Sequence, residues 1–411
     1  MSYRTSIDHK GDFDMSAVQL GLLSGLRVAD ITGVFGAYAS RLISDHGATV
    51  VRIVPDAGDP AEGIGPFHEK TGESYFARFV NANKKSAAIS ASQLKDPKFF
   101  ASILEWADIV IEEFPALGGL SEMQVAATLE KSGHETIVVS IRPYAEGSKF
   151  EGHPIDDLTA QAVGALMSLS GSPDREPLAL NGGQSHYIVG VFAATAALLG
   201  LNDSGGRSGR PHYTVTVQEA IVHSLETAVQ YYTTEGVVRG RKGSAQQAGD
   251  GSYHAKDGRV VMGAMTDLEW GRLCTWIGKQ GIKDAREFAT WKLEQRRDPV
   301  NVKRFANSFE GFAREHTCEY LTTAGQANRV LISPSYTLTQ ILKDSQLTYD
   351  QFFRPVSDST GRHWMFPGAP YQISSGSVFV REAARKFGED TEWFRRVVLK
   401  KPKIAPRSEK K

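Results

Sequence analysis

The chain has 411 residues, and its 47 basic and 47 acidic side chains leave it without net charge at neutral pH. This balance does not favour nucleic acid or an anionic membrane surface as a partner, because both attract basic proteins. A hydrophobic content of 41% is too high for a disordered chain and is typical of a globular core.

Three sequence features indicate a cytoplasmic protein. The chain has two cysteines, Cys274 and Cys318, which favours reduced thiols over a disulfide framework. Residues 1–18 are polar and lack the apolar segment of a signal peptide. The longest apolar run, residues 187–201, is shorter than the roughly 20 residues that cross a bilayer. We therefore expect neither secretion nor a membrane location.

Short apolar strands alternate with helices in the first half of the chain. The predicted strands are LRVADIT, TVVRIV, SAAIS, DIVIEEF and TIVVSI. The predicted helices include residues 36–46, residues 121–131 and PKFFASILEWA, where Pro97 suits a first helical position. The alternation predicts an α/β fold with a doubly wound, mostly parallel sheet, as in Rossmann-like domains. Such sheets bind ligands at the carboxyl ends of their strands.

A smaller α+β domain is predicted in the second half. Residues 206–236 indicate a turn, a strand and a long helix, and Asp257-Gly258 indicates a hairpin. We place a large domain at residues 20–240 and a small domain at 245–345. A return segment to the large domain follows at 346–400, and 401–411 is expected to be a disordered tail.

Two common kinds of cofactor site are not indicated. The segment GVFGAY after the first strand contains glycine but lacks the Gly-x-Gly-x-x-Gly fingerprint of dinucleotide binding. The sequence has no cysteine–histidine spacing of a metal site either. We therefore expect neither a bound dinucleotide nor a metal.

Seven segments, taken in order, resemble the class III CoA-transferases, the carnitine-dehydratase/bile-acid-inducible family. They are LSGLRVADITGVFGAYASRLISDHGATVVRI, NANKKSAAIS, ADIVIEEF, DDLTAQAVGALMSLSG, GVFAATAALLGL, GRSGRPHYTVTVQEAIV and DGRVVMGAMTDLEWGRLC. The resemblance covers roughly residues 23–398. It implies a ring-like chain interlocked with a second chain in a dimer, and a coenzyme A thioester as substrate rather than a covalently bound cofactor.

The resemblance draws attention to His186. In the transferases the matching helix starts with an aspartate, four residues before a glycine, and this carboxylate attacks the acyl-CoA thioester. Counting back from Gly190 gives His186, so the nucleophilic aspartate is absent. A helix start should keep the imidazole neutral, and an ordinary structural histidine is the alternative interpretation. Ser185 would be a nucleophile only with a base and an oxyanion hole.

Asp156 and Asp157 form a second candidate site. A pair of aspartates before a helix is commonly a cap, since carboxylates bind the free N–H groups of the first turn. By resemblance, Asp157 matches an acidic residue beside the catalytic aspartate. Asp156 matches a histidine of the related α-methylacyl-CoA racemases, which pair it with the aspartate of the other helix. Asp156 and His186 are therefore a candidate acid–base pair with exchanged positions.

The resemblance also suggests residues that hold CoA. Lys84 and Lys85 of NANKKS, together with Arg52, are candidates to contact CoA, and a solvated lysine pair is the alternative. Other positions depart from the family. EEFPALGG lacks the asparagine and arginine that help to hold CoA there, and Glu113 would repel a phosphate.

These departures predict a degenerate subunit of a heteromeric acyl-CoA:carboxylate CoA-transferase. A related subunit would be its partner and would carry the catalytic aspartate. Three alternatives remain open at this stage. They are a homodimeric acyl-CoA racemase that uses Asp156 and His186, a homodimeric transferase that uses Asp157, and a CoA-binding scaffold without catalysis.

Overall fold

The structure is a computed structural model that describes residues 21–203, 212–225, 227–241, 247–373 and 378–399. The predicted tail at 401–411 lies outside these residues. The chain forms two compact units. The first contains the described residues within 1–153, 186–217 and 354–411, and the second contains those within 154–185 and 218–353.

A six-stranded sheet forms the centre of the first unit. Its strands are β1 (Arg27–Ile31), β2 (Thr49–Pro55), β3 (Lys84–Ile89), β4 (Ile109–Glu112), β5 (Ile137–Arg142) and β6 (His212–Thr216). The strand order is β3-β2-β1-β4-β5-β6, and every neighbouring pair is parallel. The predicted doubly wound sheet is confirmed, and the strand order reverses between β1 and β4.

The sequence explains why two of the helices start where they do. Ten helices are defined in order as α1 (Ala37–Asp45), α2 (Tyr75–Val80), α3 (Ala91–Leu94), α4 (Pro97–Trp106), α5 (Glu122–Ser132), α6 (Asp157–Val163), α7 (Leu166–Leu169), α8 (Gln184–Asp203), α9 (Val217–His223) and α10 (Ala228–Glu235). Asp96 caps α4 through the backbone N–H of Lys98, and Pro97 occupies the first helical position as predicted. Ser121 caps α5 in a reciprocal capping box with Gln124. Phe99, Phe100 and Trp106 of α4 are buried in the core beside the sheet.

Helix α8 is buried in part and apolar on all sides. By length and composition alone it would be able to cross a membrane. In the structure, Val189, Ala193 and Ala197 are buried, so α8 is a packed helix of the fold along this face. Gly190 permits a close approach, because a Cβ there would lie 2.8 Å from the Cβ of Tyr38.

The C-terminal segment covers the outer edge of β3. The N–H of Ser86 donates to Asp390 Oδ2 at 2.9 Å, and the N–H of Ala88 donates to Thr391 Oγ1 at 2.9 Å. The N–H of Asp390 donates back to the carbonyl of Ser86. An edge strand with free N–H groups invites pairing with other chains, and this segment satisfies those groups.

The second unit has its own sheet and core. Strands β7 (Gly251–His254), β8 (Arg259–Gly263) and β9 (Leu331–Pro334) form an antiparallel sheet, and the predicted hairpin at Asp257-Gly258 is confirmed. Its core is rich in aromatic side chains, among them Trp270, Trp276, Phe305 and Phe309. Its later helices are α11 (Asp267–Lys279), α12 (Ala285–Phe288), α13 (Leu293–Arg297), α14 (Pro299–Ala313), α15 (Cys318–Ala327), α16 (Leu338–Ile341) and α17 (Ser345–Tyr349). The last elements of the chain are β10 (Phe353–Ser357), β11 (His363–Pro367) and α18 (Thr391–Val397), and the described residues from 354 onward belong to the first unit.

The compact units differ from the predicted domain boundaries. Residues 154–185 and 218–240 pack with the second unit, whereas the sequence placed them in the large domain. The predicted long helix over 217–235 is two helices, α9 and α10, in the structure. Cys274 and Cys318 are free thiols, as expected.

Candidate functional site

Glu113 lies at the point where the strand order reverses. It follows β4 and is buried, with 3% of its surface exposed. Its Oε2 accepts a hydrogen bond from the N–H of Gly33 at 3.0 Å, and its Oε1 accepts one from the N–H of Gly36. Gly36 is the N-cap of α1. The carboxyl group therefore fills the turn between β1 and α1, where doubly wound folds commonly bind a ligand anion.

The two glycines of this turn leave the space that Glu113 occupies. A Cβ added to Gly33 would lie 2.7 Å from Glu113 Oε2, and one added to Gly36 would lie 2.9 Å from Oε1. Burial raises the pKa of Glu113 to about 7, against the two N–H donors and the charge of Arg52. The turn and the carboxyl group fit each other closely, but keeping that group charged costs free energy.

Arg52 holds the other side of the same turn. Its Nη2 donates to the carbonyl of Gly33 at 3.0 Å, and its Nη1 donates to Asp30 Oδ1 at 3.0 Å. The guanidinium also pairs with both carboxylate oxygens of Asp59. Glu113 thus binds the N–H of Gly33, and Arg52 binds the carbonyl of the same residue. Arg52 is itself buried and fully engaged.

Lys84 belongs to this buried charge network rather than to the surface. Its Nζ donates to Asp30 Oδ2 at 2.9 Å and to the carbonyl of Ala37 at 2.7 Å. Burial alone would raise the pKa of Asp30, but Lys84 and Arg52 hold it well below its usual range. Burial lowers the pKa of Lys84 to about 8, against the attraction of Asp30. The alternative of a solvated lysine pair is therefore wrong for Lys84, because its ammonium group is buried and paired, and its contact with CoA stays a prediction.

Lys85 remains available at the surface. Its Nζ lies 3.6 Å from Asp390 Oδ1 and 4.9 Å from the centroid of the Trp393 ring, and 31% of its side chain is exposed. The structure brings the three predicted CoA contacts together, since Arg52, Lys84 and Lys85 line one pocket. Its other lining residues are Asp59, Glu62, Asn81, Ser86, Arg385 and Phe387. Lys85 and Arg385 are the two partly exposed cations among these nine residues.

His186 lies in an aromatic environment in the first unit. Its ring centroid is 4.9 Å from that of Phe35 and 5.3 Å from that of Phe76, and 4% of the residue is exposed. Phe35 belongs to the turn between Gly33 and Gly36, so the clamped turn positions one wall of the histidine environment. The sequence located His186 at the first turn of α8, and the structure confirms that place.

Asp157 and Ser185 form a contact within the second unit. Asp157 Oδ1 accepts hydrogen bonds from the N–H of Ser185, at 3.0 Å, and from its hydroxyl group. Asp157 Oδ2 accepts one from Nε2 of the buried Gln161 at 3.0 Å. The carboxylate thus joins the start of α6 to the start of α8. The hydroxyl group of Ser185 donates its hydrogen bond to this carboxylate. Among the contacts of Ser185 and Asp157 that the structure describes, no imidazole is in position to activate the hydroxyl group as a nucleophile.

Asp156 has the capping role that the sequence offered as one interpretation. Its Oδ1 accepts a hydrogen bond from the N–H of Thr159 at 2.8 Å, in a capping box at the start of α6. Asp156 belongs to the second unit and His186 to the first. The acid–base pair formed by these two residues stays a prediction.

Sequence reasoning missed the role of Glu113. It treated this carboxylate as a repulsive charge, whereas the structure shows a ligand of the β1–α1 turn. The available signal was the pair of glycines after β1 together with an acidic residue at the end of the adjacent strand.

Among the residues that the structure describes, no group of three histidine, cysteine, aspartate or glutamate side chains is arranged to hold a metal ion.

Comparison with known proteins gives a consistent result. The model of the family described as CoA-transferase family III matches residues 23–391. The BbsE subunit of succinyl-CoA:(R)-benzylsuccinate CoA-transferase from Thauera aromatica is 25% identical over 382 residues, which cover 90% of this chain and 92% of that protein. Succinyl-CoA:mesaconate CoA-transferase from Haloarcula marismortui is 30% identical over 267 residues, which cover 62% and 67%.

The fold has solved counterparts as well. A CAIB/BAIF family protein from Brucella suis superimposes with a TM-score of 0.78 at 20% identity, over 92% of this chain and all of that chain. Because the family model matches residues 23–391, the chain belongs to CoA-transferase family III.

Proposed function

We propose that this chain is the subunit of a heteromeric CoA-transferase that does not carry the nucleophile. One observation carries the proposal. His186 stands where the family resemblance places the nucleophilic aspartate, and it is buried between Phe35 and Phe76. An imidazole has no carboxyl group with which to form the acyl anhydride and the CoA thioester of the transferase reaction. A related subunit would supply that carboxylate.

In this proposal the partner's aspartate carries the covalent steps. Its carboxylate oxygen attacks the thioester carbonyl and releases CoA thiolate, which leaves a mixed anhydride. The thiolate then attacks the aspartyl carbonyl, releases the donor acid and forms an aspartyl-CoA thioester. The acceptor carboxylate takes the same route in reverse and leaves as its CoA thioester. No net oxidation or hydrolysis occurs.

Two further observations support a different subunit as partner. The relative from Thauera aromatica, matched over most of both chains, is named as a subunit. In addition, α8 presents Val191, Leu198 and Leu199 to solvent in the isolated chain, and such apolar surface on a long helix favours a protein partner. We propose an interlocked arrangement of the two subunits in the cytoplasm, and succinyl-CoA as the donor class, because the relatives carry that donor in their names.

The test is reconstitution with a paralogue that has aspartate at the position of His186. We expect the chain alone to be inactive and the mixed complex to transfer CoA from succinyl-CoA to a dicarboxylic acid. Hydroxylamine trapping and mass spectrometry should find the acyl-enzyme intermediate on the partner. Changing that aspartate to asparagine in the partner is the matched control and should abolish transfer.

Two outcomes would contradict this assignment. The first is a fully active homodimer of this chain, with transferase activity that depends on Asp157. The second is exchange of the α-proton of an acyl-CoA with solvent deuterium, lost in Asp156→Asn and His186→Ala, without transfer of CoA. A complex that binds CoA but never turns over would favour the scaffold alternative.

A further inference from the structure

The Glu113 carboxyl group has the contacts of a bound anion, but the chain itself supplies it. It lies 77 residues after Gly36 in sequence and accepts hydrogen bonds from the N–H groups of Gly33 and Gly36. It is buried, and among the described residues no lysine or arginine side chain donates a hydrogen bond to it. The N–H of Gly36 at the N-cap of α1, a helix of nine residues, and the N–H of Gly33 in the preceding turn are donors of the kind that external phosphates and carboxylates use.

The turn is shaped around this group. Both glycines approach the carboxyl oxygens to within distances that a Cβ would not tolerate. Arg52 fixes the carbonyl of Gly33 from the opposite side and is bound to Asp30 and Asp59. Arg52 therefore restrains the turn at Gly33 through a contact that does not depend on Glu113.

We propose that Glu113 is a built-in ligand of the β1–α1 turn, which closes this turn to an external carboxylate or phosphate. Only the consequence of this closure for substrate binding rests on the proposed function. If the partner carries the nucleophile, catalysis does not require this turn to bind substrate. Substrate would then bind only at the corresponding turn of the partner. The closure itself is a property of this chain alone.

A second role follows from the same contacts. The closed turn carries Phe35, which packs against His186 at 4.9 Å between ring centroids. Glu113 and Arg52 together restrain the turn that forms one wall of the environment of His186.

Chemical rescue tests the proposal without any measurement of activity. In Glu113→Ala the side chain is removed and the two N–H groups lose their acceptor, so the melting temperature should fall. Sodium acetate, compared with sodium chloride at equal ionic strength and pH 8, should recover several degrees of that loss. Glu113→Met is the matched control, because it also removes the acceptor but fills the space, and acetate should have no specific effect on it or on the wild type.

The arms of this experiment separate the outcomes. Rescue of Glu113→Ala by acetate identifies a carboxylate site, and stronger rescue by inorganic phosphate identifies a phosphate site. If Glu113→Ala does not fold in chloride, refolding yield in acetate against chloride replaces the melting temperature. Equal responses of Glu113→Ala and Glu113→Met in both measurements would overturn the proposal. Because only stability is measured, this result is independent of whether the mixed-subunit assay succeeds.

Discussion

Asp157 accepts two hydrogen bonds from Ser185, one from its backbone N–H at 3.0 Å and one from its hydroxyl group. The contact joins the first turns of α6 and α8, although the two residues are 28 positions apart in sequence. It gives the acidic residue of the family pattern a structural function in this chain, since both carboxylate oxygens are engaged.

The first prediction compares the two neighbouring aspartates. Asp157→Asn replaces one accepting oxygen with a donor and should lower the free energy of unfolding by about 1–3 kcal/mol, because a part-buried donor loses its acceptor. Asp156→Asn should change it by less than about 0.5 kcal/mol, since asparagine caps a helix as well as aspartate does. Urea unfolding measures both, and a larger loss in Asp156→Asn would contradict the assigned roles.

The second prediction concerns His186. His186→Leu keeps most of the volume between Phe35 and Phe76, so we expect turnover of the mixed complex within about tenfold of the wild type. His186→Ala leaves a cavity and should lower the free energy of unfolding by about 2 kcal/mol or more. An acid–base role would instead cost about 10²-fold or more in both variants.

The reverse replacement gives a sharper test of the same residue. His186→Asp restores the carboxylate of the family, but it places that group between two aromatic rings, where the charge is costly. We expect a less stable chain and no new working site. Detection of a CoA thioester on this new aspartate by mass spectrometry would show that expectation to be wrong.

The third prediction separates the two adjacent lysines. Lys84→Met should destabilise the fold by up to about 3–5 kcal/mol, because the buried carboxylate of Asp30 keeps Arg52 but loses its second cation. Lys85→Met removes a partly exposed cation and should change stability by less than about 1 kcal/mol. If Lys85 contacts CoA, Lys85→Met should lower the affinity of the complex for CoA. It should also weaken the dependence of that affinity on salt concentration. Calorimetry with CoA at two ionic strengths is the measurement.

The fourth prediction is a pH dependence that arises from Glu113. Its pKa is raised from 4.5 to about 7 in the folded chain. Between pH 4.5 and about pH 7 the folded state therefore binds more protons than the unfolded state. The contribution to stability is present below about pH 4.5 and is lost as the pH rises to 7. Relative to Glu113→Gln, the wild type should lose up to about 3 kcal/mol across this window. The charged groups nearest in this region, Arg52 and Asp30, stay charged throughout. Parallel pH profiles of the two proteins would contradict the shift.

The sequence predicted the sheet well because each strand is a local signal. LRVADIT, TVVRIV and TIVVSI are short, apolar and rich in β-branched residues, and each lies in the parallel sheet. The first helical position of Pro97 and the cap at Asp156 were equally local signals. Local patterns did not reveal that residues 154–185 pack with the second unit, because that depends on which surfaces meet in space.

The site was harder to predict for the same reason. His186, Asp157 and Arg52 were found by resemblance, and the structure gives their partners. The bond between Gly36 and Glu113 joins positions 77 residues apart, so neither periodicity nor spacing contains it. For Lys84 the sequence offered contact with CoA or a solvated lysine pair, and neither included its ion pair with Asp30, a single acidic residue within an apolar strand.

Residues 388–391 can cover the edge of β3 only after they have been synthesised, which is late in translation. The sixth strand of the sheet ends at Thr216, and Thr391 emerges about 175 residues later, which corresponds to roughly 10 to 35 s of translation at about 5–20 residues per second. During that interval the N–H groups of Ser86 and Ala88 lack their final acceptors. A nascent chain of this protein therefore offers an open strand edge to chaperones or to a partner chain before its own C-terminus closes it.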